Sequence, residues 1–394
     1  MAIKRIAVLT GGGDVPGLNA VIKSVVYGAT GMGDFDVIGL RRGWEALSHM
    51  NLEKGWDDAY VRRLDRDNTR TIDRTGGTFL HTSRTKPSKI RPEKLPEHAQ
   101  AKLGMCKKVG NDGDERYDVT PIVIENLQRL GVDYLLPIGG DDTLSYAAEL
   151  HSQGFPVIAV PKTMDNDVQN TEYCIGFSTA LTRAVDAISR QRTTVGSHER
   201  IGIFRIFGRD AGFTALYTAY VTNIRCCIPE VVFDLDKLIN MLVEDKRNNP
   251  SRYSLVVLSE GATWEGRKVQ EYGEPDAYGH RKRMNVGEAF SEEVKRRANE
   301  ETIASDLTYD LRGGDPDFVD KMVATTFATM AVECIASGVK GRMTGIRNGC
   351  FVDTELPDPA LGPRKVDLES MYNIDRYRPN YQNKSGRPIF LTRA

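Results

Sequence analysis

Two stretches of the chain gather carboxylates, a hydroxyl and a cation at the ends of apolar runs. In Gly139-Gly140-Asp141-Asp142-Thr143, two glycines close a short strand-like run and are followed by adjacent aspartates. Glycine lacks Cβ, so backbone N–H groups can close on an anion ahead of a helix. The aspartates, however, put negative charge where a phosphate would go. A helix starting near Thr143 needs only one capping carboxylate; a second beside a polyphosphate fits Mg2+, which neutralises charge and bridges phosphate oxygens. In Pro161-Lys162-Thr163-Met164-Asp165-Asn166-Asp167, a cation, a hydroxyl and two carboxylates follow another apolar run. Asx residues in a turn are one explanation. Phosphoryl transfer is the other: the lysine holds the donor and an aspartate takes the acceptor alcohol's proton.

A third glycine-rich stretch, Gly11-Gly12-Gly13-Asp14-Val15-Pro16-Gly17-Leu18-Asn19, matches neither common nucleotide fingerprint. Pro16 stands where the dinucleotide motif has its third glycine, and Leu18-Asn19 follow where a P-loop has Lys-Ser/Thr. Phosphate binding ahead of a helix and a simple tight turn both remain open.

These stretches recur in one context, an apolar run of strand length ending in a glycine turn and passing into helical periodicity, which predicts an open α/β sheet. The runs are Ile3 to Leu9, Tyr134 to Ile138, Val157 to Val160, Ile201 to Phe207 and Leu255 to Leu258. Leu18, Val21, Ile22, Val25 and Val26 recur at helical spacing, as do Phe177, Ala180, Leu181, Ala184, Val185 and Ile188. A further helix is expected after Arg312 with Val319, Met322, Val323, Thr326 and Met330 inward. The boundaries predict one lobe from residues 1–175 plus about 312–360, a second from 176–311, and an extended tail from 361–394 packed on its own or a neighbouring subunit. Residues 84–118 look inserted, with eight Lys/Arg against two Asp/Glu between Arg84 and Lys108. They read as a solvated loop or as a basic flap over an anionic site.

With 53 Lys and Arg against 54 Asp and Glu, the chain carries no basic field that would attract nucleic acid or an anionic membrane. Anionic ligands must be met by local charge. The six cysteines lack CxxC spacing and are expected to be buried free thiols. The first ten residues run straight into the glycine turn, so neither a signal-peptide core nor a membrane span is expected, and the expected compartment is the cytoplasm.

Eight stretches, GGGDVPGLN, GGTFLHTSR, GGDDT, PKTMDND, SHERI, FGRDAG, SEG and LRGGDP, occur in the order and approximate spacing of the phosphofructokinases, from residue 3 to about 350. The chain resembles that family. The resemblance implies two Rossmann-like three-layer α/β lobes with the active site between them, Mg2+ as cofactor, and a homodimer or homotetramer. It implies Asp165 as the base acting on the 1-hydroxyl of fructose 6-phosphate and Asp141 as the magnesium ligand. Gly12 and Arg84 match donor-phosphate contacts; Thr163, Asp167, Gly208, Arg209, Glu260 and Arg312 match sugar-phosphate or transition-state contacts. Arg200 matches an arginine that reaches a sugar phosphate across a subunit boundary. Asp142 together with Lys162 resembles the pyrophosphate-dependent branch, since ATP users typically have glycine at the position of Asp142. An ATP-dependent enzyme and a catalytically silent sugar-phosphate-binding paralogue are the alternatives; the second would be expected to lack Asp165 or Arg209. Three positions depart from the pattern. Phe207 replaces a usual methionine and Tyr309 a histidine of short bacterial members, both expected to line the sugar. Ile303 replaces a second phosphate-binding arginine, for which Arg281, Lys282 and Arg283 are a candidate substitute or a plain basic turn.

Overall fold

The structure, a computed structural model, describes residues 3–110, 114–267, 271–272, 282–283 and 285–386. The first sheet takes β1 (Lys4–Thr10), β2 (Phe35–Leu40), β3 (Val61–Leu64), β4 (Tyr134–Gly139) and β5 (Ile158–Pro161). The second takes β6 (Ile201–Ile206), β7 (Arg225–Cys227), β8 (Ser254–Ser259) and β9 (Thr302–Leu307). The chain then returns to the first sheet with β10 (Arg342–Arg347) and β11 (Cys350–Glu355). The orders are β11-β10-β5-β4-β1-β2-β3 and β9-β6-β8-β7. Within these two sheets, among the described residues, only the edge strands β3 and β11 run antiparallel to their neighbours.

Parallel strands covered on both faces must be apolar on both faces. Along β1, Ile6 and Val8 join one buried cluster while Ala7 and Leu9 join another. Helix α1 (Leu18–Met32) buries Leu18, Val21, Ile22, Val25, Val26 and Ala29. Its entry requires Gly17, which has φ 110° and no room for a Cβ beside Ile175. Five further helices are α2 (Trp44–His49), α3 (Thr120–Arg129), α4 (Asp141–Ser152), α5 (Phe177–Ser197) and α6 (Phe213–Thr222). A seventh, α7 (Phe318–Ala336), packs along α1.

Three expectations are corrected. Met322 does not face inward on α7; it is 41% exposed, and the buried side is Asp320, Val323, Ala324, Phe327, Ala328, Ala331, Val332 and Ile335. Buried Asp320 fixes this phase: it accepts hydrogen bonds from Tyr173, Gly176 and Thr179 where α5 begins. The segment 84–118 is not merely a solvated loop. Ile90, Leu95 and Ala99 form a small core with Val119 and Ile122, and Lys102 pairs with Glu125 of α3. Its cations are partly matched by its own acids, with Arg91 and Arg116 both on Asp114. The tail is not simply extended: it forms a short helical turn at Leu368–Met371 and a hairpin pairing Tyr372–Asn373 with Arg378–Pro379. It packs on the second sheet, where the Tyr377 carbonyl accepts from Cys226 N–H.

All six cysteines are free, but only Cys174, Cys226 and Cys227 are buried as expected; Cys106 and Cys334 are half-buried and Cys350 is exposed on an edge strand. Among the described residues no helix is long and apolar enough to cross a membrane. Of the basic run 281–283, Arg281 lies outside the described residues, and Lys282–Arg283 pair through the backbone with Glu271–Tyr272.

Candidate active site

In the order β5-β4-β1, the carboxyl ends of three adjacent parallel strands carry the loops 162–167, 140–142 and 11–17. Chain order reverses around β1, whose neighbours are β2 and β4; such a switch point opens a crevice at the strand ends. Facing it from the second sheet are Arg209, just past β6, and Arg312, past β9. Gly12, Asp141, Asp142, Lys162, Thr163, Asp165, Asp167, Arg209 and Arg312 line this one cleft.

The glycine loop is shaped around a lysine. Gly12 has φ 76°, and the carbonyls on either side of it turn toward Lys162, whose Nζ donates to Gly11 O at 3.0 Å and Gly13 O at 2.6 Å. The N–H groups of Gly11 and Gly12 are already bonded to the carbonyls of Ile138 and Ser83. Of the two readings of this stretch, a phosphate cradle and a tight turn, the first lacks free glycine N–H groups at these two positions, where Lys162 supplies a cation instead. Burial, and then the nearby Arg312, pull the Lys162 ammonium down to about 7.

Neither Asp141 nor Asp142 caps its helix. Helix α4 begins at Asp141, Gly140 occupies the cap, and both carboxylates fall in the first turn, where the helix dipole favours negative charge. Asp142 Oδ2 lies 3.5 Å from Arg209 Nη1, so the two sheets contribute to one ion pair across the cleft. Arg209 has φ 45°, a region that non-glycine residues rarely occupy. Although burial opposes its charge, Asp165, Asp142 and Asp167 together hold its pKa above the usual value.

The loop after β5 turns sharply at Asn166, φ 55°, whose side chain bonds Glu172 O and Cys174 N. That turn points Asp165 and Asp167 into the cleft. Asp165 is 5% exposed, and its Oδ1 is buried with no hydrogen-bond partner among the described residues. An unpaired buried carboxylate oxygen is costly and wants a donor. Burial, followed by the charge of Asp165, pushes the Asp167 carboxyl up.

Arg312 rests on two aromatic faces, 5.0 Å from the Phe207 ring centroid and 5.8 Å from Tyr309, which pack edge to face. Phe207 and Tyr309 thus support the cleft through Arg312. Glu260 pairs loosely with Arg205 at 3.9 Å, and Gly208 approaches the Ala211 carbonyl too closely for any Cβ. Arg84 is exposed and follows Ser83, the acceptor for Gly12 N–H. Arg200 is not in this cleft: it precedes β6 at its amino end, about 20 Å from Arg209 along the strand. Ile303 lies at that same remote end, paired with Gly202. The segment 84–118 contributes no lining residue among those described. Asp210 and Pro363 line the cleft without having been expected there. Asp210 stood inside the FGRDAG stretch and could have been chosen; nothing in the sequence around Pro363 signals a site.

Among the described residues no group of three or more His, Cys, Asp or Glu is placed to hold a metal ion alone. Mg2+ commonly takes only one or two carboxylates and completes its shell with phosphate oxygens and water, so Asp141, beside a phosphate-sized cleft lined by Lys162 and two arginines, fits such an ion.

The description "Phosphofructokinase" is that of the family whose model matches residues 5–335. ATP-dependent 6-phosphofructokinase 3 of Streptomyces coelicolor is 35% identical over 90% of this chain and 94% of its own length. Pyrophosphate--fructose 6-phosphate 1-phosphotransferase of the same organism is 34% identical over 92% and 96%. A crystal structure of pyrophosphate-dependent phosphofructokinase from Marinobacter aquaeolei superposes with a TM-score of 0.74 over 98% of this chain and 90% of that one, at 18% identity, which speaks for the fold. The two-lobed α/β architecture, the cleft between its sheets and these relatives agree, and the chain belongs to the phosphofructokinase family as one of its phosphotransferases.

Proposed function

We propose that the chain transfers a phosphoryl group from pyrophosphate to the 1-hydroxyl of fructose 6-phosphate, giving fructose 1,6-bisphosphate and phosphate, reversibly and in the cytoplasm. Asp165 carries this reading, a nearly buried carboxylate that lines the cleft beside Lys162, Arg209 and Arg312 and whose Oδ1 has no hydrogen-bond partner among the described residues. The sugar hydroxyl attacks the terminal phosphorus, its proton passes to Asp165, and the bridging P–O bond breaks to release phosphate. Arg209 and Arg312 face charge that spreads over the transferring oxygens. Mg2+, held at Asp141, would neutralise charge on the diphosphate when bound. A silent binding paralogue is disfavoured because Asp165 and Arg209 both face the cleft. The relatives' names divide between ATP and pyrophosphate, so ATP is the second reading of the donor. Incubating the chain with Mg2+, fructose 6-phosphate and pyrophosphate should yield both products by phosphorus NMR; no turnover with either donor would overturn the reaction.

Lys162 gives the donor site a pH dependence. Burial and the nearby Arg312 pull its ammonium down to about 7, and a bound polyanion raises that value. Binding above pH 7 therefore requires proton uptake. The KM for magnesium pyrophosphate is expected to climb with pH above about 7 by up to tenfold per unit. Lys162→Met should flatten that limb, and an identical slope in both proteins would remove Lys162 as its cause.

Arg200, remote from its own cleft, is assigned to the sugar phosphate of a neighbouring subunit in a homodimer or homotetramer. Arg200→Ala should raise the KM for fructose 6-phosphate about tenfold or more while leaving the pyrophosphate KM nearly unchanged. Equal movement of both, or of neither, would take Arg200 out of the site.

A further inference from the structure

The tail delivers one arginine into the interior between the two sheets. Arg364 is 7% exposed, and its Nη2 donates to Asn166 O at 2.6 Å and to Glu172 O at 3.4 Å. Its backbone N–H donates to Asp167 O at 2.7 Å. The loop that presents Asp165 and Asp167 is thus gripped twice, once at the carbonyl between the two aspartates and once just after. The guanidinium lies 4.5 Å from the ring centroid of Phe213, the first residue of α6 in the other lobe.

Its neighbours in the tail bind the facing loop. Lys365 Nζ donates to Asp210 O at 2.5 Å, and Val366 N–H donates to Glu230 Oε1 at 3.0 Å. The same Oε1 accepts from Gly212 N–H at 2.9 Å. Residues 363–366 therefore tie loop 165–167 to loop 208–212, which carries Arg209. Pro363 brings this strap to the wall of the cleft itself.

A residue that merely filled space here would be cheaper as an aliphatic. Arg364 Nε and Nη1 are buried with no hydrogen-bond partner among the described residues, a penalty that methionine or leucine would avoid. Its backbone-directed bonds instead define where the Asn166 carbonyl sits, and that turn, in the left-handed region, aims the two carboxylates.

We infer that Arg364 is a positioning residue for phosphoryl transfer, and that the 363–366 strap holds the Asp165 loop in register with the Arg209 loop. The inference rests on the proposed role of Asp165. A displacement of about 1 Å at a reacting group can cost about 10²-fold in rate. Lysine can keep the charge but not the planar two-carbonyl grip or the stacking on Phe213.

The test compares wild type, Arg364→Lys and Arg364→Ala by steady-state kinetics with fructose 6-phosphate and each donor, beside their thermal midpoints. Arg364→Lys is expected to lose about tenfold in kcat, and Arg364→Ala about 10²-fold, with both KM values within about threefold of wild type. Millimolar guanidinium should restore part of the alanine variant's kcat. A lysine variant with wild-type kcat, or one whose loss lies in KM alone, would overturn the inference; so would an alanine variant that folds and gains nothing from guanidinium. If the alanine variant does not fold, the lysine variant decides. Wild type inactive with both donors would instead remove the proposed reaction, whereas an active wild type with an unaltered lysine variant removes only the strap's role.

Discussion

Asp165→Asn is expected to lower kcat by about 10² to 10⁴, the span typical of a lost general base, with little change in either KM. The amide keeps the size of the side chain and its place in the loop but offers no oxygen basic enough to take the hydroxyl proton. Because Asp165 Oδ1 is buried and unpaired among the described residues, the substitution should leave stability unchanged or slightly improved. That combination, a large fall in kcat without a fall in thermal midpoint, separates catalysis from folding. Steady-state rates and a melting curve on the same preparation check it, and turnover close to wild type would take Asp165 out of the mechanism.

Asp142→Gly is expected to admit ATP. The α-phosphate and ribose of ATP extend beyond the two phosphates of pyrophosphate, and the family resemblance places that extra charge against Asp142. Two like charges about 4 Å apart at an effective dielectric near 20 repel by roughly 4 kcal/mol. Arg209 lies 3.5 Å from the same carboxylate and offsets much of this. The expected gain in kcat/KM for ATP is accordingly about 10- to 100-fold rather than the thousandfold of an unpaired charge. Removing Asp142 also takes away the carboxylate that pairs with Arg209 across the cleft, so pyrophosphate use should decline in the same variant. Lys162→Gly has a second cost, because it deletes the cation that holds the carbonyls of Gly11 and Gly13. The two changes should be coupled, since both act on one ligand and on the loops around it. The kcat/KM for both donors across the two single variants and the double variant measures that coupling. Unchanged ATP use in Asp142→Gly would move donor choice to the shape of the nucleoside pocket.

The strands that carry the site were legible because buried parallel strands read as unbroken apolar runs, and Tyr134–Gly139 and Ile201–Ile206 differ from expectation by a single residue. The loops after them were legible because their glycines, Lys162 and the aspartates leave few other uses for such a cluster. Helix α7 was misread for a physical reason: Phe318, Val319, Met322 and Val323 surround it with apolar residues, so periodicity alone does not choose a face. Its phase comes from Asp320, a charged residue that sequence reading assigns to the surface. The aspartates of α4 were expected to include the cap, but the turn places Gly140 there and both carboxylates one step later. Arg364 had no local signature at all. Its partners Asn166, Glu172 and Phe213 are brought to it only by the return of the chain after β11.

Initial rates with pyrophosphate and with ATP, each varied at saturating fructose 6-phosphate and equal free Mg2+, bear most directly on the donor. The charge pattern of Asp142 and Lys162 predicts a kcat/KM for pyrophosphate at least about tenfold above that for ATP. A ratio at or below one would contradict it and make ATP the donor.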